Sequence, residues 1–176
     1  MEINRLAIFC GSSLPVDEKL TKDIHQFLSE LFSTRDFEVI YGGANIGLMG
    51  VVADLAVSFD RKVHGVMPTF LKEKGVAHPN LTSFIDCETM HLRKSKMYDM
   101  AEAFLILPGG FGTLDELFEI LTWRQLSQHN KKIFLLNCNG FYNHLVHHLI
   151  NMAQMGFISA QDRDLVKVIS SAGELD

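Results

Sequence analysis

The sequence predicts an α/β fold: a Rossmann-like, open, mainly parallel sheet with helices on both faces. Three observations carry the prediction. Short apolar runs alternate along the 176 residues with amphipathic runs of helical period, the pattern of a sheet wrapped by helices. The runs 6–10 and 103–107 are apolar at every position, as strands buried on both faces require. Glycine-bearing turns follow three strands, at Gly11-Ser12-Ser13, Gly42-Gly43 and Gly109-Gly110. In such sheets ligands sit outside the carboxyl ends of the strands.

Taken in order, the first strand covers 6–10 and stops at Gly11. Pro15 then opens a helix whose Leu20, Ile24, Phe27, Leu28 and Leu31 share one face. Residues 37–41 form the second strand. Beyond Gly42-Gly43 comes a helix of small residues, with Val52, Ala53, Leu55 and Ala56 suited to close packing on a sheet. The third strand, 62–67, is stopped by Pro68. Residues 69–89 are polar, so a loop is expected there, with a short strand near 81–85. A helix over 90–102 leads into the fourth strand, 103–107. A helix over 113–127 carries Leu114, Leu117, Phe118, Leu121 and Gln125 along one side. The fifth strand is 132–136, followed by a helix over 141–155, a short helix over 160–164 and an edge strand over 165–169. With no linker or repeat, the expectation is a single domain, 1–176.

A net charge of −5 argues against non-specific binding to nucleic acid or a membrane surface. Cys10, Cys87 and Cys138 are odd in number and lack C-x-x-C spacing, which fits reduced thiols in a cytoplasmic protein. Residues 1–5 run straight into the first strand without a leader pattern, and no apolar run reaches membrane-spanning length.

The chemistry concentrates in the stretch from Leu105 to Glu116, where a buried strand turns into a helix across Pro108, Gly109, Gly110, Phe111, Gly112 and Thr113. Backbone N–H groups at such a helix start welcome an anion, and Asp115 and Glu116 lie within a turn or so of it. Thr113-Leu114-Asp115-Glu116 also reads as a capping box, Thr113 at the N-cap and Glu116 three residues on. The two roles are compatible: a carboxylate held near a helix start is ionised and can face a developing cation. None of the glycine turns carries G-x-G-x-x-G, and no G-x-x-x-x-G-K-[ST] occurs, which argues against a dinucleotide enzyme or a P-loop nucleotidase.

His91-Leu92-Arg93-Lys94-Ser95-Lys96 is basic within an acidic chain. It is either a solvated helix face or an anion contact, with Arg93 offering a planar fork of donors for a phosphate or a base edge. His144, His147 and His148 have metal-compatible spacing, but without supporting acids or cysteines they read as surface or interface residues. Trp123-Arg124 reads as packing or a subunit contact.

Together these motifs resemble the Lonely Guy family of cytokinin riboside 5′-monophosphate phosphoribohydrolases, long misnamed lysine decarboxylases. The family pattern P-G-G-x-G-T-x-x-E appears as Pro108 to Glu116, M-H-x-R-K as Met90 to Lys94, and G-G-x-x-x-G-L-M-G as Gly42 to Gly50. Cys10-Gly11-Ser12-Ser13, Thr122-Trp123 and Gly140-Phe141-Tyr142 match further family positions. The resemblance covers essentially the whole chain. It implies hydrolysis of the N-glycosidic bond of an adenosine 5′-monophosphate, often N6-modified, by a homodimer that needs neither metal nor cofactor. Arg93 and Glu116 would be catalytic, and the Gly109, Gly110, Phe111, Gly112 and Thr113 loop would bind phosphate. Gly11, Ser12, Gly42, Gly43, Lys94 and Asp115 complete the expected substrate-binding set. One departure concerns substrate preference: many members have a Glu where this chain has Gly75. Three rival readings remain at this point: a broader nucleoside-monophosphate nucleosidase, a non-catalytic nucleotide-binding module and, weakest, a lysine decarboxylase.

Overall fold

The computed structural model describes residues 3–176; the reading of a leaderless start falls partly on residues 1 and 2, outside the described residues. Seven strands form one sheet: β1 (Arg5–Phe9), β2 (Glu38–Tyr41), β3 (Val63–Pro68), β4 (Ser83–Cys87), β5 (Ala103–Ile106), β6 (Lys132–Leu136) and β7 (Val166–Ile169). Their order is β4-β3-β2-β1-β5-β6-β7, and every neighbouring pair is parallel. The helices between them are α1 (Glu18–Thr34), α2 (Gly47–Ser58), α3 (Thr69–Lys72), α4 (Met90–Met100), α5 (Phe111–Gln125), α6 (Asn143–Gln154) and α7 (Ala160–Arg163). The Rossmann-like sheet expected from the sequence is present.

The strands are apolar on successive residues because both faces are covered. Leu6 and Ile8 of β1, with Leu105 of β5, pack under Ile24, Leu28 and Leu31 of α1 and Val52 and Ala56 of α2. Ala7, Phe9, Phe104 and Ile106 point the other way, against Met97 of α4, Leu117 and Ile120 of α5 and Leu149 of α6. Each large side chain buried this way contributes about 1.5–3 kcal/mol.

The chain builds outward from β1 through β2 and β3 to β4, then returns to the other side of β1 as β5. That reversal opens a crevice at the carboxyl ends of β1 and β5, where an open α/β sheet takes its ligand.

Four local expectations are corrected. The first helix does not open at Pro15: Asp17 is the N-cap, its carboxylate accepting from the Lys19 N–H at 2.8 Å, so the helix starts at Glu18. Pro68 does not stop β3 but is its last residue, in register with Cys87; its missing N–H falls where the ladder ends. The stretch expected to be loop also holds the short helix α3, and the short strand expected near 81–85 is present two residues later as the parallel edge strand β4. The last correction concerns the start of α5 and bears on the site.

Candidate active site

At the carboxyl ends of the central strands lies a cleft of about 450 Å³. Cys10, Gly11 and Ser12 enter it after β1, Gly42 after β2, and Met67 from β3. Arg93 reaches in from α4, and Gly110, Phe111, Gly112, Thr113 and Glu116 form its wall on α5.

The helix α5 begins three residues earlier than its capping-box spelling suggests. Gly110 is the N-cap, Phe111 the first helical residue, and no side chain caps the end. Thr113 is therefore the third helical residue and Glu116 the sixth, so the expected capping box does not form. The first-turn N–H groups of a helix have no intrahelical partner, and with glycine at the cap no side chain accepts from them; they lie beside the cleft that Phe111, Gly112 and Thr113 line. That end of the helix carries the positive pole of its dipole. The register also turns a different stripe inward: Thr113, Glu116, Leu117 and Ile120 are buried, at i, i+3, i+4 and i+7. Of the expected stripe, Leu117 is buried and Leu114 and Leu121 pack partly buried against the same core, whereas Phe118 and Gln125 line a groove with α6 and α7 residues.

Glu116 is 8% exposed. Arg93 Nη1 lies 3.3 Å from its Oε1, and Arg93 Nε donates to the Val66 carbonyl at 3.1 Å. Burial pushes the Glu116 carboxyl up to about 7, despite the opposing pull of Arg93 and Lys94. The sequence expectation of a fully ionised carboxylate is thus corrected: desolvation outweighs the cations, and the group titrates near neutrality. The guanidinium has room because residue 42 has no side chain. A Cβ there would sit 2.3 Å from Arg93 Nη2 and 2.4 Å from Met49 Cε.

Of the expected binding set, Gly11, Ser12, Gly42, Arg93 and Gly110 through Thr113 meet at this cleft. The Phe111 ring points outward, 95% exposed. Gly43 is buried and does not line the cleft, and Gly109 lines an adjoining pocket that shares Gly11, Ser12 and Gly110 with it. A Cβ on Gly109 would lie 2.1 Å from Thr113 Oγ1 and 2.9 Å from the Gly11 nitrogen, so a bare backbone there lets the two glycine turns touch. Lys94 and Asp115 do not line the cleft. They pair with each other across α4 and α5 at 2.6 Å, and Glu119 joins Lys94 at 3.3 Å. One residue along α4 turns Lys94 away from the direction of Arg93.

Sequence reasoning missed the opposite wall: Met49, Met67, Leu71, Val76 and Lys74. Met49 and Met67 read as core from the sequence, and Leu71, Lys74 and Val76 lie in the stretch expected to be loop; only the fold brings them to one wall. Val76 is fixed by backbone pairing, its carbonyl accepting from the Asn45 N–H at 2.7 Å. Lys74 approaches beside Gly75, the position of the family departure, whereas the exposed Glu73 is not part of the lining.

The remaining candidates lie elsewhere. His144, His147 and His148 are not buried, and among the described residues no group of His, Cys, Asp or Glu is arranged to hold a metal. Trp123 packs edge-on against Tyr98 at 4.8 Å, and Arg124 donates to the Leu165 carbonyl at 2.7 Å, so both serve packing within the chain. The three cysteines are free thiols. Among the described residues no helix is long and apolar enough to cross a membrane.

Fold and cleft define a class: a Rossmann-like α/β protein with an uncapped helix start beside a buried arginine–glutamate pair. A family model described as possible lysine decarboxylase matches residues 49–175. Cytokinin riboside 5′-monophosphate phosphoribohydrolase LOG1 of Arabidopsis thaliana is 37% identical over 175 residues, spanning 99% of this chain and 81% of that protein. Probable cytokinin riboside 5′-monophosphate phosphoribohydrolase LOG4 of Oryza sativa subsp. japonica is 38% identical over 176 residues, spanning 98% and 75%. The chain belongs to the Lonely Guy family. Among solved structures, the molybdenum cofactor binding protein from Rippkaea orientalis aligns over 98% of this chain and 93% of its own, with a TM-score of 0.68 and 19% identity. That likeness is one of fold.

Proposed function

We propose that this protein is a phosphoribohydrolase that cleaves the N-glycosidic bond of adenosine 5′-monophosphates, including N6-modified ones, releasing free base and ribose 5-phosphate. The observation that carries the reading is the buried Arg93–Glu116 pair within two turns of an uncapped helix start. The relatives named for this activity match nearly the whole chain.

The roles follow from the chemistry. The 5′-phosphate sits on the first-turn N–H groups of α5, with the Ser12 hydroxyl as a further donor. The ribose then lies toward Glu116. Glycoside cleavage passes through an oxocarbenium-like state that a nearby carboxylate stabilises. In its ionised form Glu116 takes a proton from water as the water oxygen bonds to C1′ and the C1′–N bond breaks. The bonding electrons leave with the base, which gains a proton from solvent, and Arg93 donates to the departing base as its charge develops. A carboxyl titrating near 7 suits proton transfer at neutral pH. The apolar wall of Met49, Met67, Leu71 and Val76 suits the flat face of a base and an apolar N6 substituent.

A second reading has one observation in its favour. With Ser12 and Thr113 beside the phosphate and Glu116 toward the ribose, Arg93 and Lys74 are the other polar side chains lining the cleft for reading a base edge, which fits a nucleosidase of broader range. A panel of AMP, GMP, CMP and N6-isopentenyl-AMP with product identification separates the two: the proposed enzyme prefers the adenine substrates, and equal turnover of all four supports the broader reading.

A homodimer formed through the α5–α6–α7 side is part of the proposal. Leu126, Met155 and Phe157 are exposed there, flanking the apolar groove lined by Phe118, Leu121 and Met152. Sedimentation measures this directly. A dimer that Phe157→Asp weakens is expected; an active monomer contradicts it. Residence in the cytoplasm belongs to the same proposal, and fractionation of cells tests it.

A further inference from the structure

The geometry points to Lys94 as a positioning residue for Glu116: it ties α4 to α5 and neutralises the two carboxylates that flank Glu116, keeping that side chain available in its ionised form. This rests on the reading of Glu116 as the reacting carboxylate.

Asp115 and Glu119 stand at i−1 and i+3 from Glu116 on α5. Lys94 reaches both from α4, at 2.6 and 3.3 Å. The Lys94 side chain is nearly as buried as that of Arg93 and Glu119 is largely covered, so solvent screens that pair little, whereas Asp115 is exposed and more strongly screened. Adjacent residues of α4 therefore act on the same turn of α5 from two sides: Arg93 inside the cleft and Lys94 outside it. Without the lysine, two uncompensated carboxylates would oppose ionisation of Glu116, adding to the effect of its burial.

The charged and titratable groups around Glu116 are few. Arg93 and Lys94 on α4 favour its ionised form, while Asp115 and Glu119 on α5 oppose it. The Cys10 thiol after β1 is raised by burial, with Glu116 adding to that rise, so it stays neutral. Lys74 borders the same cleft. The Lys94 cluster is the part of this set that can be altered without touching the lining of the cleft.

The test compares three variants: Lys94→Gln, Asp115→Asn with Glu119→Gln, and all three changes combined. The Glu116 carboxyl is titrated in each by carbon NMR, and base release from AMP is followed against pH. The lysine variant should titrate on the order of one pH unit higher, and its rate–pH profile should move with it. The double variant should move lower, and the combined variant should return close to wild type. A contact that only held two helices together would shift both variants the same way or not at all, and either result overturns the proposal. A lysine variant that fails to fold leaves the double variant to decide, since an unchanged titration there is equally fatal. Because the titration needs no turnover, it is independent of the mechanism: retained base release by Glu116→Gln would defeat the catalytic reading, not the electrostatic one.

Discussion

In the proposed reaction Glu116 is the reacting carboxylate, and its buried surroundings favour holding a proton that an exposed carboxylate would have lost. Replacing it with Gln keeps size and burial but removes the proton acceptor. Base release should fall by about 10²-fold or more, with nucleotide binding retained. The same burial has a cost that varies with pH. With its carboxyl pushed up to about 7 from the ordinary 4.5, the folded protein holds a proton that the unfolded chain has already released. Stability relative to Glu116→Gln is therefore greatest below about pH 4.5 and falls as pH rises towards 7. The expected total is about 3 kcal/mol, measured by urea unfolding of both proteins at pH 5 and pH 8. A difference independent of pH would mean that the carboxyl titrates normally. The identity of this residue was legible in the sequence, but its protonation was not, because burial depends on which face of α5 turns inward.

The element that decides that face is the start of α5. Thr113-Leu114-Asp115-Glu116 spells a capping box, and Phe111-Gly112 gave no sign of being helical. Yet Gly110 takes the cap, three residues before Thr113, and Glu116 lies in the second turn as part of the cleft wall rather than at the helix end. A local motif cannot resolve this, since the choice rests on Gly109 nesting against Gly11 and Thr113 from the other side of the cleft. Two glycine substitutions separate the contributions of backbone and side chain. In Gly42→Ala the added methyl meets the ends of Arg93 and Met49, which can move. Base release should fall by about tenfold or more as Arg93 is displaced, with thermal stability nearly unchanged. In Gly109→Ala the methyl meets the Gly11 backbone and Thr113, which cannot easily move. Stability should fall by about 1–3 kcal/mol, read from the denaturation midpoint. Equal losses of stability in both would refute the distinction. Lys94 shows the same limit on local reading: Arg93-Lys94 looks like one basic patch, but consecutive helix residues point about 100° apart, and only the packing of α4 on α5 assigns each its side.

At the scale of the whole molecule, more was readable. Strands buried on both faces announce themselves as unbroken apolar runs, so β1, β5 and β6 and their alternation with helices follow from composition alone. The edges were legible only in outline: β4 has one neighbour and half-exposed residues, so it lacks the long apolar run that marks the interior, and its bounds fall two residues beyond the strand expected at 81–85. The convergence of three glycine turns was likewise legible, because a parallel sheet brings its carboxyl ends to one side. The wall of Met49, Met67, Leu71 and Val76 was not, because an apolar residue in a cleft is spelled like one in a core. All of this meets in one claim, that the cleft binds a nucleoside 5′-monophosphate by its phosphate and cuts the bond to its base. The most direct test incubates wild-type protein and Glu116→Gln with AMP and N6-isopentenyl-AMP and identifies the products. The account predicts free base and ribose 5-phosphate in equal amounts from the wild type, and almost none from the variant. Nucleotide bound but left intact by the wild type, or base released as fast by the variant, would contradict it.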